Sequence, residues 1–137
     1  MPKPNVFICH RWDYNEDYYQ LTEKFDEYGF SYLNYSVPEH DPLPWVGPSG
    51  TRAQLAEQVR QCNYFIVFAR KATDTEWCKH EVETAVAYGK YILGVHPRGY
   101  LGGIPKFIQD ADNQQGPISF HTPAIIDRIR TALNWWS

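Results

Sequence analysis

Residues 75–85 read TEWCKHEVETA and set Trp77 and Glu81 one helical turn apart, with Cys78 and His80 between them. Helix residues advance about 100° each. Cys78, Val82, Ala85 and Val86 then share an apolar face, and Trp77, Glu81, Thr84 and Tyr88 form the adjoining stripe. Glu81 is therefore expected at the border of the core face, partly desolvated and beside the Trp77 indole. Burial there disfavours the charged carboxylate and raises its pKa, while the helix N-terminus and any nearby Lys or Arg lower it. The plainer reading is a dipole-complementing acid in an early turn, which suits Glu76 and Glu83. Cys78 and His80, two apart on a helix, point away from each other and make a poor nucleophile–base pair.

The elements that must position these residues follow from hydrophobic pattern. Asn5 to Cys9 (NVFIC) is a short continuous apolar run, the mark of a strand buried on both faces. Tyr18, Leu21, Phe25 and Tyr28 recur at helical spacing, with Gly29 as the stop. Phe30 to Tyr35 reads as a second strand. The next stretch, SVPEHDPLPWVGPSG, carries four prolines and two glycines and reads as a long loop. Thr51 to Gln54 has the form of a capping box, with Leu55, Val59 and Cys62 continuing one helix face. Tyr64 to Ala69 is the strongest strand, the TEWCKHE helix follows to near Gly89, and Tyr91 to Val95 is a fourth strand. A weak helical turn is expected around Pro105 to Ile108, and a short strand over Ile118 to Phe120. Thr122 as N-cap with Pro123 then opens a last helix that turns Ile125, Ile126, Ile129 and Leu133 inward.

This alternation predicts an α/β fold of flavodoxin-like type: three layers, a central parallel sheet of about five strands in order 2-1-3-4-5, and helices on both faces. One domain over 1–137 is expected. In that order a ligand crevice lies beyond the carboxyl ends of strands 1 and 3. His10, Arg11, Trp12 and Asp13 follow strand 1, and Arg70 to Asp74 follow strand 3.

Several chemistries are excluded at that crevice. A phosphoacceptor domain of the same order needs an acidic pair after strand 1 and an Asp ending strand 3, but the chain has CHRWD and Ala69-Arg70. Neither G-x-G-x-x-G nor a Walker A sequence is present. The five histidines show no ligand spacing with the cysteines, so no metal is expected. Cys9, Cys62 and Cys78 are scattered and odd in number, which suits a reducing cytoplasm. A net charge of −3 without a basic block argues against nucleic acid as partner. No apolar run approaches the ~20 residues that span a bilayer, and the opening MPKPNVFICH lacks the pattern of a signal peptide. A cytoplasmic protein with no membrane partner is expected.

Three segments together carry a family resemblance. NVFICHRWD resembles the first strand and loop of Toll/interleukin-1 receptor (TIR) domains, and WCKHE resembles their W-C-x-x-E motif after the third strand. With SVPEHDPL and GKYILGVHPRG, the chain is most similar to the bacterial TIR-like domains of the Thoeris antiphage defence system, over roughly residues 4–134. The resemblance implies cleavage of the nicotinamide–ribose bond of NAD⁺, with Glu81 as the catalytic glutamate and NAD⁺ as substrate rather than cofactor. It implies release of a cyclised ADP-ribose isomer as a signal. That signal would activate a downstream NAD⁺-consuming effector without stable contact, under a phage component as trigger, and self-association of the domain is compatible with it. His10, Arg11, Trp12, Ser36 and Trp77 are the candidates for substrate binding, Arg11 toward the pyrophosphate and Trp12 in ring stacking. Many plant and animal TIR domains carry an acid near the second strand, where this chain has Asn34 and Ser36. The competing reading is a TIR-like assembly module without catalysis, but adaptors often lack the Glu that this chain keeps.

Overall fold

A computed structural model describes residues 3–10, 16–36, 47–73 and 75–134. Strands β1 (Asn5–Cys9), β2 (Leu33–Asn34), β3 (Tyr64–Phe68), β4 (Tyr91–His96) and β5 (Ile118–Ser119) form one sheet in the order β2-β1-β3-β4-β5. Every neighbouring pair is parallel. Parallel strands need crossovers, and helices supply them: α1 (Glu16–Glu27), α2 (Gly47–Gln61), α3 (Glu76–Ala87) and α4 (Lys106–Ala111), with α5 (Thr122–Leu133) last. The strand order and three-layer class agree with the sequence reading.

Alternation along each strand divides the core in two. Val6, Ile8, Tyr64, Ile66, Phe68, Leu93 and Val95 pack against Tyr18, Leu21 and Phe25 of α1 and Ile125, Ile126 and Ile129 of α5. Phe7, Cys9, Phe65, Val67, Ala69 and Ile92 pack against Val59 of α2, Cys78, Val82 and Ala85 of α3 and Ile108 of α4. Both faces of the sheet are covered, so its central strands read as unbroken apolar runs.

Four local expectations change. The second strand spans two residues rather than six, because Phe30 turns into the α1 layer and stacks near Phe25 and Tyr32. Helix α2 starts at Gly47, so Thr51 lies inside it and heads no capping box. Pro48 is tolerated there because a first-turn residue needs no N–H. Val86 is exposed, and the inward face of α3 is Cys78, Glu81, Val82 and Ala85. Helix α5 has His121, not Thr122, at its N-cap.

The end of β2 is set by a side chain. Tyr35 N–H still donates to Val6 O at 2.8 Å. At the next position the buried Ile8 N–H donates instead to Ser36 Oγ, at 2.8 Å. The hydroxyl thus replaces a backbone carbonyl and frees the chain to leave the sheet. Ser36→Ala would strand a buried donor and should cost about 1–3 kcal/mol, read as a lower urea midpoint with an unchanged m-value. Ser36→Thr should retain most of the stability.

Candidate active site

The sheet's carboxyl edge gathers the chemistry-bearing groups into two clusters, one on each face of β1. On the first face, Thr73 Oγ1 donates to Phe68 O at 2.9 Å and fastens the turn that leaves β3. Thr75 then caps α3: its backbone is extended and its hydroxyl oxygen accepts from Cys78 N–H at 3.2 Å. The cap fixes where α3 begins and so which residues of its first two turns meet β1.

Glu81 is one of them. It is 7% exposed and sits on the inward face of the helix rather than at its border. Its neighbours are the thiols of Cys78, one turn earlier, and of Cys9, the last residue of β1. Burial holds the Glu81 carboxyl well above the usual carboxylate range; Cys78 adds to the rise, and a hydrogen bond from the Cys9 thiol opposes it. The Cys9 thiol is itself pushed up, first by its hydrogen bond with Cys78 and then by burial and Glu81. Burial thus outweighs the opposing influences at Glu81, with sulfur rather than indole as the immediate neighbour. Trp77 is 36% exposed, lies under the Arg52 guanidinium at 5.4 Å and faces outward.

On the other face stands His10, 7% exposed. Its ring stacks on Tyr18 of α1 at 4.3 Å and 21°. Nδ1 lies 3.1 Å from Ile8 O, so in the neutral ring Nδ1–H donates and Nε2 carries the lone pair. Burial lowers the His10 pKa against the smaller opposing pull of Ile8 O, which favours that neutral ring. Nε2 is buried and has no hydrogen-bond partner among the described residues. Tyr18 is fixed in turn: its hydroxyl accepts from Asn34 Nδ2 at 2.7 Å, and Asn34 Oδ1 accepts from Ser36 N–H at 2.9 Å. Ser36 therefore stands in the network behind His10, with its hydroxyl engaged by Ile8. Arg11 and Trp12 lie outside the described residues, as does most of the proline-rich loop (37–46).

A third group went without a role in the sequence reading. Arg70, just past β3, holds Asp17 of α1 through Nε at 2.8 Å and Nη2 at 3.0 Å. Its guanidinium also lies 4.9 Å over the Tyr100 ring. The Tyr100 hydroxyl accepts from Lys71 N–H and donates to Gly103 O, tying the loop after β4 to this edge. The signal was present: strand order 2-1-3 brings the residue after β3 beside the first turn of α1.

The architecture is shared with enzymes that process nucleosides and nucleotides. The Clostridium botulinum CMP N-glycosidase BcmB superposes with a TM-score of 0.55 at 14% identity, over 93% of this chain and 98% of its own. A 2-deoxyribosyltransferase from the psychrotolerant bacterium Bacillus psychrosaccharolyticus does so with a TM-score of 0.64 at 13% identity, over 90% of each chain. At these identities the likeness is one of fold. No curated protein matches the chain in sequence. The family model "Thoeris protein ThsB, TIR-like domain" matches residues 7–100, which hold the last three residues of β1, all of β2, β3 and β4 and both clusters, and the chain belongs to that family.

The buried acid has a consequence for stability. An acid whose folded pKa is raised binds its proton more tightly folded than unfolded, so stability falls as pH rises from the unfolded value of 4.5 toward the folded one. Glu81→Gln removes that slope. The melting temperature of Glu81→Gln should match the parent near pH 4.5 and exceed it by a widening margin toward neutral pH, measured by calorimetry. A constant gap across that range would contradict the assignment.

Proposed function

We propose that this TIR-like domain cleaves the N-glycosidic bond between nicotinamide and ribose in NAD⁺ and closes the remaining ADP-ribose into a cyclic signalling nucleotide for antiphage defence. The observation that carries the proposal is the buried Glu81 carboxyl at the carboxyl edge of the sheet, in a chain of the Thoeris TIR-like family. Two proteins of like fold, named for N-glycosidase and deoxyribosyl-transfer activities, support a bond of the same class.

The chemistry asks little of the protein. Nicotinamide is a cationic leaving group and departs as a neutral molecule, so no general acid is needed. The ribose it leaves has oxocarbenium character, which a carboxylate beside it stabilises. Glu81 takes that role in its ionised form. A positively charged nicotinamide ring at the pocket stabilises the ionised carboxylate and thereby opposes the burial that keeps the proton on. His10 takes the role of acceptor: Nε2 offers a lone pair to a hydroxyl or N–H₂ group of the substrate. Ser36 acts behind it, while Arg11, Trp12 and Trp77 remain the proposed binding residues for the pyrophosphate and rings. The signal passes to an NAD⁺-consuming effector, and a phage component triggers its synthesis.

The test is chromatography of NAD⁺ products in lysates of infected cells that express each variant. Glu81→Gln keeps size and shape without the charge and should lose about 10²–10⁴ in rate. Glu83→Gln, about 200° further round the helix, should be silent. Persistence of both signal and protection in Glu81→Gln would transfer the function to the assembly module. His10→Phe keeps a ring on Tyr18 but deletes the acceptor, and should lower kcat/KM about tenfold with the fold retained.

A further inference from the structure

One contact beside the site has no part in the proposed chemistry. Arg52, on the second turn of α2, reaches across to the first turns of α3, the helix that carries Glu81. Its guanidinium lies over the Trp77 ring at 5.4 Å and within 3.9 Å of the Glu76 carboxylate. Its backbone carbonyl lies 3.4 Å from His80 Nε2. One residue of α2 thus meets Glu76, Trp77 and His80 together. The Glu76 side chain is 90% exposed, so the ion pair holds little, and stacking on Trp77 is the stronger tie of the Arg52 side chain.

These contacts place α2 on one side of α3. On the other side lies α4, where Lys79 sits over the Phe107 ring at 5.7 Å. Helix residues advance about 100° each. Counted round α3 from Trp77, Glu81 stands at about 40°, Cys78 at about 100°, Val82 at about 140° and Lys79 at about 200°. Across the buried face of α3, Glu81 is therefore the residue nearest α2, and Val82 the one nearest α4. Among the described residues, the first buried apolar side chain of α2 is Leu55, a turn beyond Arg52. Ahead of that anchor, α2 meets α3 through Arg52.

We propose that Arg52 is a positioning residue for Glu81: its stacking on Trp77 clamps the leading end of α2 against the first turn of α3 and keeps water from that side of the carboxyl. The inference rests on the role proposed above for Glu81 but concerns only the surroundings of that carboxyl. An arginine suits the position because its guanidinium is planar and weakly hydrated, so it covers the indole face while its edge stays in water. A clamp and a charge acting at a distance predict opposite results. Loss of a nearby cation raises the midpoint of a carboxyl, whereas admission of water lowers a midpoint that burial had raised.

The test reads Glu81 directly. The side-chain carboxyl carbons of glutamate are labelled with ¹³C and titrated by NMR in the ligand-free protein, and the Glu81 signal is assigned by its loss in Glu81→Gln. Arg52→Ala should lower the Glu81 midpoint by about half a pH unit. Trp77→Leu should lower it likewise, and the double variant no further than either alone, because the two side chains act as one unit. Glu76→Gln removes only the ion pair and should leave the midpoint in place. A midpoint unmoved or raised in Arg52→Ala overturns the proposal. The contact between His80 and the Arg52 carbonyl does not depend on the Arg52 side chain, so α2 and α3 stay joined. Should Arg52→Ala nevertheless fail to fold, Arg52→Gln is judged by the same criterion. In the activity assay Arg52→Ala should lower kcat about fivefold with KM unchanged. A raised KM at unchanged kcat would make Arg52 a binding residue and overturn the proposal. If no preparation, the parent included, releases nicotinamide, the titration still decides the role of Arg52, and it is the proposed reaction that fails.

Discussion

A strand with no free face governs the site. Val6 to Cys9 are buried from both sides and hydrogen-bonded between β2 and β3. Successive residues of such a strand must point to opposite layers. The last pair therefore splits: Cys9 goes to the α3 layer and meets Glu81, and His10 goes to the α1 layer and meets Tyr18. Neither can swing to the other side without pulling β1 out of register, which would turn every core residue of the strand the wrong way. The two clusters are thus held a fixed distance apart by the sheet itself.

The two faces also differ in how they treat charge. Arg70 and Asp17 form a two-pronged ion pair in which each charge has its partner. Glu81 has no such partner among the described residues; burial and Cys78 oppose its charge, and the Cys9 thiol favours it less strongly. Burying an acid this way costs stability once it ionises, and a fold under no further constraint would place a leucine or methionine there. A buried carboxyl left uncompensated gains most from a ligand that brings its own positive charge. That is the electrostatic reason to match it with a cationic ring rather than with a neutral nucleoside.

Much of this was legible in the sequence because burial on two faces leaves a plain mark. NVFIC and YFIVF are uninterrupted, and their order with the helices fixes a parallel sheet. What failed was local. Gly47 to Gly50 reads as a turn by composition, yet it forms the first turn of α2, where a proline costs nothing. FSYLNY reads as one strand, but a side chain, Ser36, ends the pairing, and no periodicity reports where a hydroxyl will be spent. The helical wheel centred α3 on its four apolar residues. The structure turns the helix by roughly 35°, so that Val86 is exposed and Glu81 enters the core. The wheel counts apolar residues on one element; it does not register that Cys9, on another, leaves room for a carboxyl. The Arg70–Asp17 pair escaped for a related reason, since it joins residues 53 apart that only the strand order brings together.

On the proposed reading, the same geometry bears on the fate of the ribosyl cation once the bond to nicotinamide has broken. Hydrolysis asks for a base that can activate water close to the ribosyl carbon, as inverting and retaining glycosidases both arrange with a second carboxylate. Around Glu81 the described neighbours are the thiols of Cys9 and Cys78, and that of Cys9 is held protonated by its hydrogen bond with Cys78 and by burial. Cys9 cannot act as a base near neutral pH. The His10 imidazole is held neutral by burial and its Nε2 has no partner among the described residues, but β1 stands between its ring and Glu81. In the proposed reaction, a site with one acid and, among the described residues, no adjoining base stabilises a ribosyl cation better than it recruits water to it. On the proposed reading, the cation is then captured by the nucleophile already tethered to it, the adenine of the same molecule. Cyclisation over hydrolysis would follow from what the sheet keeps away from Glu81 as much as from what it brings near.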